Sequence, residues 1–330
     1  MSESDNNNNS QQSSAELFSY CDSESLSEEG LRELIANNYD LLKNNYEFFF
    51  RVCWNERVTE GIIRCLLEYF PDAANYEDGQ VPLHNVCENI SATLGIIRLL
   101  IAASPESVRS VNDEGHMPLH TLCENVELDE AAAIEILKIL IEKYPQAVRH
   151  ASDSGCLPIH LASGWRSLEF CQVLIDVAPD SVKRGDNGGW TPLHYLCDSC
   201  KDDDEGTAVQ MLKLMIEKDT EAARRSNNNG DLPIHRASGW RSLEFFRVLV
   251  EANPESVSVP DASGKLPLHQ VCLNGSLATV EYVHGLYPEA INHAATWGYR
   301  VSLRRRDVTE HYPIHSAIEG TLYRKNLPLQ

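Results

Sequence analysis

The stretch "DNGGWTPLHYLC", Asp186–Cys197, carries the reading that decides the fold. It opens on tight-turn chemistry, with Asp and Asn ahead of paired glycines, because Gly adopts positive φ without a steric penalty. It then runs through Pro-Leu-His into an apolar segment. The Pro-Leu/Ile-His tripeptide occurs seven times in the chain and carries His84, His120, His160, His194, His235, His269 and His315. The intervals are 36, 40, 34, 41, 34 and 46 residues, which a unit of about 34 residues with insertions explains.

A second marker keeps step with the first. "FPDAA", "SPESV", "YPQAV", "APDSV", "DTEAA", "NPESV" and "YPEAI" each close an apolar segment such as "IIRLLIAA" or "CQVLIDVA". Apolar residues in these segments fall at helical spacing, and the proline marks where the helix stops. Gly79, Gly115, Gly155, Gly189, Gly230 and Gly264 stand five residues before six of the histidines. Each unit therefore reads as turn, helix, turn, helix.

In this register the chain resembles the ankyrin repeat family. "DNGGWTPLHYLC" and "DASGKLPLHQVCLNGSLATVEYV" follow the family pattern D-x-x-G-x-T-P-L-H-x-A-A-x-x-G-H. The resemblance implies an all-α ankyrin-repeat solenoid of helix-turn-helix units with β-hairpin-like loops, about seven to eight repeats including caps. The organisation it implies begins with a disordered polar tail over 1–16, followed by N-terminal helices and a capping repeat over 17–75. The capping repeat is "YEFFFRVCWNERVTEGIIRCLLEYFPDAA". The array then covers 76–330, with units at about 76–111, 112–151, 152–185, 186–226, 227–260 and 261–294, an insertion at 295–306 and an atypical C-terminal repeat at 307–330. Only Thr191 keeps the family threonine, so a Thr–His hydrogen bond is not expected in the other units. Arg166 and Arg241 stand where the family has the glycine that ends the first helix, which puts that helix ending in question and is expected to reorient the following turn.

Composition narrows the function. With 28 basic and 49 acidic residues the formal charge is −21, which disfavours nucleic acid and anionic membranes and favours a partner of basic character. No apolar run is long enough for a membrane span, and "MSESDNNNNSQQSS" has neither the basic start nor the apolar stretch of a secretory signal. Ten cysteines in that context read as free thiols in cytosol or nucleus. "LRRR", Leu303–Arg306, fits a nuclear-import signal or an exposed insertion equally well.

Three chemical constellations compete with a purely structural role. Seven motif histidines invite a catalytic or metal reading, but a group repeated once per unit belongs to the architecture of the unit. His194, Cys197 and Cys200 have zinc-ligand spacing, yet Cys197 falls where the family has a small buried alanine and no fourth ligand is evident. "KDDDEG", Lys201–Gly206, lacks the oxygen ligands of a calcium loop at positions 1 and 12 and reads as a solvated acidic loop. No phosphate loop, dinucleotide fingerprint or nucleophile elbow is present, and the repeats leave too little chain for a catalytic domain. The expectation is a monomeric, non-catalytic protein-protein interaction module without cofactor or metal. A thiol- or metal-responsive regulator and the non-catalytic subunit of an enzyme complex are the alternatives.

The family resemblance also places the binding face, on the loop tips and the exposed side of each first helix. Carried over to this chain, it selects Trp165, Trp190, Tyr195, Arg236 and Trp240 on adjacent units, with Arg166 and Arg241 beside the tryptophans. Trp, Tyr and Arg dominate interface energetics because they bury large area at low entropic cost. "SGWRSLEF" occurs identically at Ser163–Phe170 and Ser238–Phe245, so its Trp-Arg pair is either a bivalent surface or the trace of a duplicated two-repeat block. Each Trp could equally pack between repeats. Replacing Trp165 and Trp240 with Ala is expected to abolish partner capture with the helical circular dichroism intact.

Overall fold

The computed structural model describes residues 18–42, 46–75, 81–199, 205–237, 241–297, 309–311 and 313. Regular structure among them is helical apart from a short ribbon, in which Ala295–Trp297 (β1) pairs antiparallel with Thr309–His311 (β2). No helix among the described residues is long and apolar enough to cross a membrane. The polar tail, His315, Trp240, Cys200, Lys201–Asp204, Leu303–Arg306 and nearly all of the C-terminal repeat lie outside the described residues. The chain divides into two compact units at the Asp153–Ser154 bond.

The first unit contains α1 (Glu28–Leu42), α2 (Glu47–Trp54), α3 (Glu60–Tyr69), α4 (Pro82–Glu88), α5 (Leu94–Ala103), α6 (Pro118–Glu124) and α7 (Glu130–Lys143). Two rows result: α2, α4 and α6 pack in sequence, and so do α1, α3, α5 and α7. Between the rows lie Phe48, Phe49, Ile62, Ile63 and Leu66, all essentially inaccessible. The second unit repeats the plan with α8 (Pro158–Trp165), α10 (Pro192–Asp198), α12 (Pro233–Arg236) and α14 (Pro267–Asn274) in one row, and α9 (Leu168–Val177), α11 (Glu205–Lys218), α13 (Leu243–Ala252) and α15 (Leu277–Leu286) in the other.

Local chemistry sets these boundaries. The motif proline is the first residue of α4, α6, α8, α10, α12 and α14, where its missing N–H costs nothing. Thr59, Thr93, Asp129, Ser167, Ser242 and Ser276 cap α3, α5, α7, α9, α13 and α15, each side chain accepting the N–H three residues on. The closing prolines then begin short 3-10 turns, such as Pro105–Arg109 and Pro179–Lys183. The loops before the first helices share one design. At Asp186, Oδ1 accepts the N–H groups of Gly188 and Trp190, both at 2.8 Å, and Gly189 takes φ 75° to complete the turn. Asn112, Asn227 and Asp261 hold their own loops in the same way. Successive loops in the second unit are joined by backbone bonds from Asn187 to Ser154, Asn228 to Gly188 and Ala262 to Asn229.

The expected reorientation at the Trp-Arg pair does not occur. Arg166 ends α8 in extended backbone at φ −104° and ψ 166°, and Gly275 ends α14 at φ −72° and ψ 163°. Both are followed at once by a capping serine. Negative φ suffices at this corner, so Arg satisfies it without glycine's freedom.

Candidate functional site

The six described motif histidines sit in the first turn of the short helices and are fully buried. In each of the six described, the backbone N–H three residues earlier donates to Nδ1, from Val81, Met117, Leu157, Thr191, Leu232 and Leu266. The ring therefore carries its proton on Nε2, which donates to a carbonyl further along the chain: His84 to His116 and His194 to Asp231 in the following unit, and His160 to Arg184 and His235 to Val259 at the end of their own, at 2.9–3.0 Å. Thr191 adds its hydroxyl to His194 Nδ1 at 2.8 Å. Elsewhere the backbone N–H takes that role alone, which is why Val, Met or Leu is acceptable at the threonine position. Burial holds His84 and His160 neutral down to about 4 and lowers His194 and His235 as well.

This arrangement bears on the zinc constellation. Both nitrogens of His194 are engaged, and burial raises the Cys197 thiol well above its usual range. Among the described residues no three His, Cys, Asp or Glu side chains are grouped to hold a metal. Nine of the cysteines are described, all as thiols, and eight of them are buried. Burial pushes Cys21 up to about 12 and raises Cys53, Cys87 and Cys197 too. Thiolate character, and with it reactivity, is low at these positions.

The aromatic residues behave differently. Trp165, Trp190 and Tyr195 line one cleft of about 470 Å³ in the second unit, together with Gly164, Asp186, Asp198 and Ser199. Trp165 is 40% exposed, while Trp190 and Tyr195 are half-buried. The Trp190 and Tyr195 rings meet edge to face at 5.9 Å, and Tyr195 meets His160 likewise at 5.4 Å. Tyr195 donates its hydroxyl to Asp186 Oδ2 at 2.9 Å, with Cys156 Sγ 3.0 Å from the same hydroxyl. Burial, then the bonds to Cys156 and Asp186, raise the Tyr195 phenol far above its ordinary range. Arg236 borders this group: its guanidinium lies 4.7 Å from the Trp190 ring centroid and donates from Nε and Nη2 to Asp198 Oδ1. Trp165, Trp190, Tyr195 and Arg236 are thus brought together, and Trp240 lies outside the described residues.

Arg166 and Arg241 do not belong to the exposed face expected for them. Their relative exposures are 4% and 8%, and their guanidinium groups lie 5.0 Å from the rings of Phe170 and Phe245. Arg241 donates from Nη2 to the Leu196 carbonyl and lies 3.7 Å from Glu205 Oε2. The first unit shows what this arginine replaces. There Asn89, five residues after its motif histidine, donates to Cys53 O and Asn55 O, and Asn125 repeats the contact to Cys87 O and Asn89 O. In the "SGWRSLEF" units that position is Trp165 or Trp240, and the following arginine enters the interior; in the second copy Arg241 takes over the tie to the preceding unit. Freed from that duty, Trp165 faces the cleft.

Asp186 is the member of the site that sequence reading missed. Its position is filled by turn-forming Asn or Asp in other loops, and that role conceals the second carboxylate oxygen. Two loop residues near the site, Cys156 and Asp231, are buried: Cys156 lies against Tyr195, and Asp231 accepts from Asn227 Nδ2.

No protein-family model matches the chain, and no curated protein matches it. Among solved structures, one similar chain comes from the complex described as the Bd0816 predatory endopeptidase from Bdellovibrio bacteriovorus with immunity protein Bd3460. It aligns at a TM-score of 0.48 and 14% identity, covering 62% of this chain and 96% of that one.

Proposed function

We propose that this chain is an ankyrin-repeat protein whose activity is binding another protein without catalysis, and that the cleft around Trp165, Trp190 and Tyr195 is its contact surface. The observation that carries the reading is the position of Trp165. A large indole is held at the rim of a cleft, where a packing role would have placed it in the interior, and it is the next residue, Arg166, that is buried, against the Phe170 ring. The turn-helix-turn-helix units and the backbone N–H bonded to Nδ1 of each described motif histidine support the family assignment. The engaged histidines and buried thiols favour a binding role over a metal- or thiol-responsive one. The cleft volume is within the range of about 300–1,000 Å³ usual for recognition pockets.

Panning a displayed peptide library on the immobilised chain tests this, with the Trp165→Ala variant run in parallel. Peptides enriched on the wild type are expected to fall at least tenfold on the variant, while the far-ultraviolet circular dichroism of the two proteins matches. Equal enrichment on both would remove the cleft from the binding surface.

A further inference from the structure

The cleft has a chemical bias beyond being aromatic. Its walls supply the faces of Trp165, Trp190 and Tyr195 and two carboxylates, Asp186 and Asp198, and none of its lining residues among those described is basic. The two carboxylates differ in what they can still accept. Asp186 already takes two backbone N–H groups on Oδ1 and the Tyr195 hydroxyl on Oδ2. Asp198 is exposed, and both of its bonds from Arg236 fall on Oδ1, so Oδ2 has no donor among the described residues. Arg236 itself shows what this wall accepts: a guanidinium lying against an indole and paired with a carboxylate.

We propose that the cleft receives the guanidinium of an arginine presented by a partner polypeptide, stacked on its aromatic walls and paired with Asp198 Oδ2; this rests on the protein-binding reading above. An arginine suits the site better than a lysine. Guanidinium is flat, weakly hydrated and able to stack, whereas an ammonium is strongly hydrated and needs several acceptors, and of the four oxygens on the two lining carboxylates Asp198 Oδ2 is the one without a donor among the described residues. The cleft is larger than one side chain, so residues flanking the arginine enter with it. Long-range attraction comes from the chain's charge of −21.

The test uses short capped peptides with a central Arg, Lys, trimethyl-lysine or citrulline between Gly and Ala residues, titrated against full-length protein by tryptophan fluorescence and indole NMR shifts. The Arg peptide is expected to bind and to shift the Trp165 and Trp190 indole signals. Citrulline, which keeps the shape and loses the charge, is expected to bind about tenfold more weakly, as are the Arg peptide with Trp165→Ala and with Asp198→Asn. Both variants keep wild-type circular dichroism if the loss is local. Equal binding of citrulline, or tighter binding of the lysine or trimethyl-lysine peptide, overturns the guanidinium assignment. Library peptides that need Trp165 yet lack arginine would sink this inference and leave the protein-binding reading standing. Loss of Trp165 dependence in the library would sink both.

Discussion

At the scale of single residues, Trp165 and Arg166 are neighbours with opposite tasks, and the same pair recurs in sequence at Trp240 and Arg241. Trp165 keeps 40% of its surface exposed, whereas the arginines are buried to below one tenth. A buried cation is tolerated only when paired and hydrogen-bonded, and Arg241 meets that condition through Leu196 O and Glu205. Arg241→Ala leaves the carbonyl unpaired, takes the cation from Glu205, which keeps only the Ser242 N–H, and empties the space against Phe245. It is expected to cost roughly 2–3 kcal/mol, less than a fully buried pair because Glu205 is partly solvated. Trp165→Ala is expected to cost about 1 kcal/mol or less. Urea midpoints of the two variants check the contrast; equal losses would mean that Trp165 is held by packing and not poised for a partner.

At the scale of elements, the loops before the first-row helices depend on a few backbone positions. Gly155 has φ 82°, and a Cβ there would lie 2.7 Å from the backbone nitrogen of Asn187 in the next loop, which donates to Ser154 O beside the glycine. Gly155→Ala therefore combines left-handed strain with a clash against backbone that cannot step aside, and is expected to destabilise by about 2 kcal/mol. A melting temperature unchanged by the substitution would show that the loop shifts freely and is not coupled to its neighbour. These loops were legible in the sequence because their chemistry is local: Asn or Asp, then Gly, then Pro-Leu-His. The helix starts and stops were legible for the same reason, since proline and capping serine act within one turn. Side-chain direction at the fifth and sixth residues after each histidine was not legible. It depends on whether Asn, as at Asn125, or Arg, as at Arg241, reaches the preceding unit, and that choice is made between repeats. The second oxygen of Asp186 was hidden likewise, because its partner Tyr195 lies in the helix that follows the turn.

At the scale of the whole molecule, the buried histidines make stability depend on pH, and the two units should respond differently. His84 and His160 titrate at about 4 when folded against about 6.5 when unfolded, and His116, His194 and His235 are lowered in the same direction. For a group with a depressed folded pKa, the unfolded chain binds more protons between the two values, so this contribution is intact above about 6.5 and is lost as pH falls toward 4. Each fully expressed shift of that size corresponds to roughly 3 kcal/mol. Carboxylates with raised pKa act in the opposite sense, and both that show it among the described residues lie in the first unit: Glu88 is raised and Glu124 reaches about 7, each through burial first and then repulsion from Glu114. Their contribution is present below about 4.5 and lost as pH rises toward 7, so acidification relieves them while it penalises the histidines. The first unit therefore carries two opposing slopes, and the second, with His160, His194 and His235, carries one. Hydrogen exchange followed from pH 7 to pH 4.5, corrected for intrinsic rates, is expected to show protection lost earlier from α8, α10 and α12 than from α4 and α6. The reverse order would mean that the carboxylate cluster around His116, and not the histidine ties, governs acid stability.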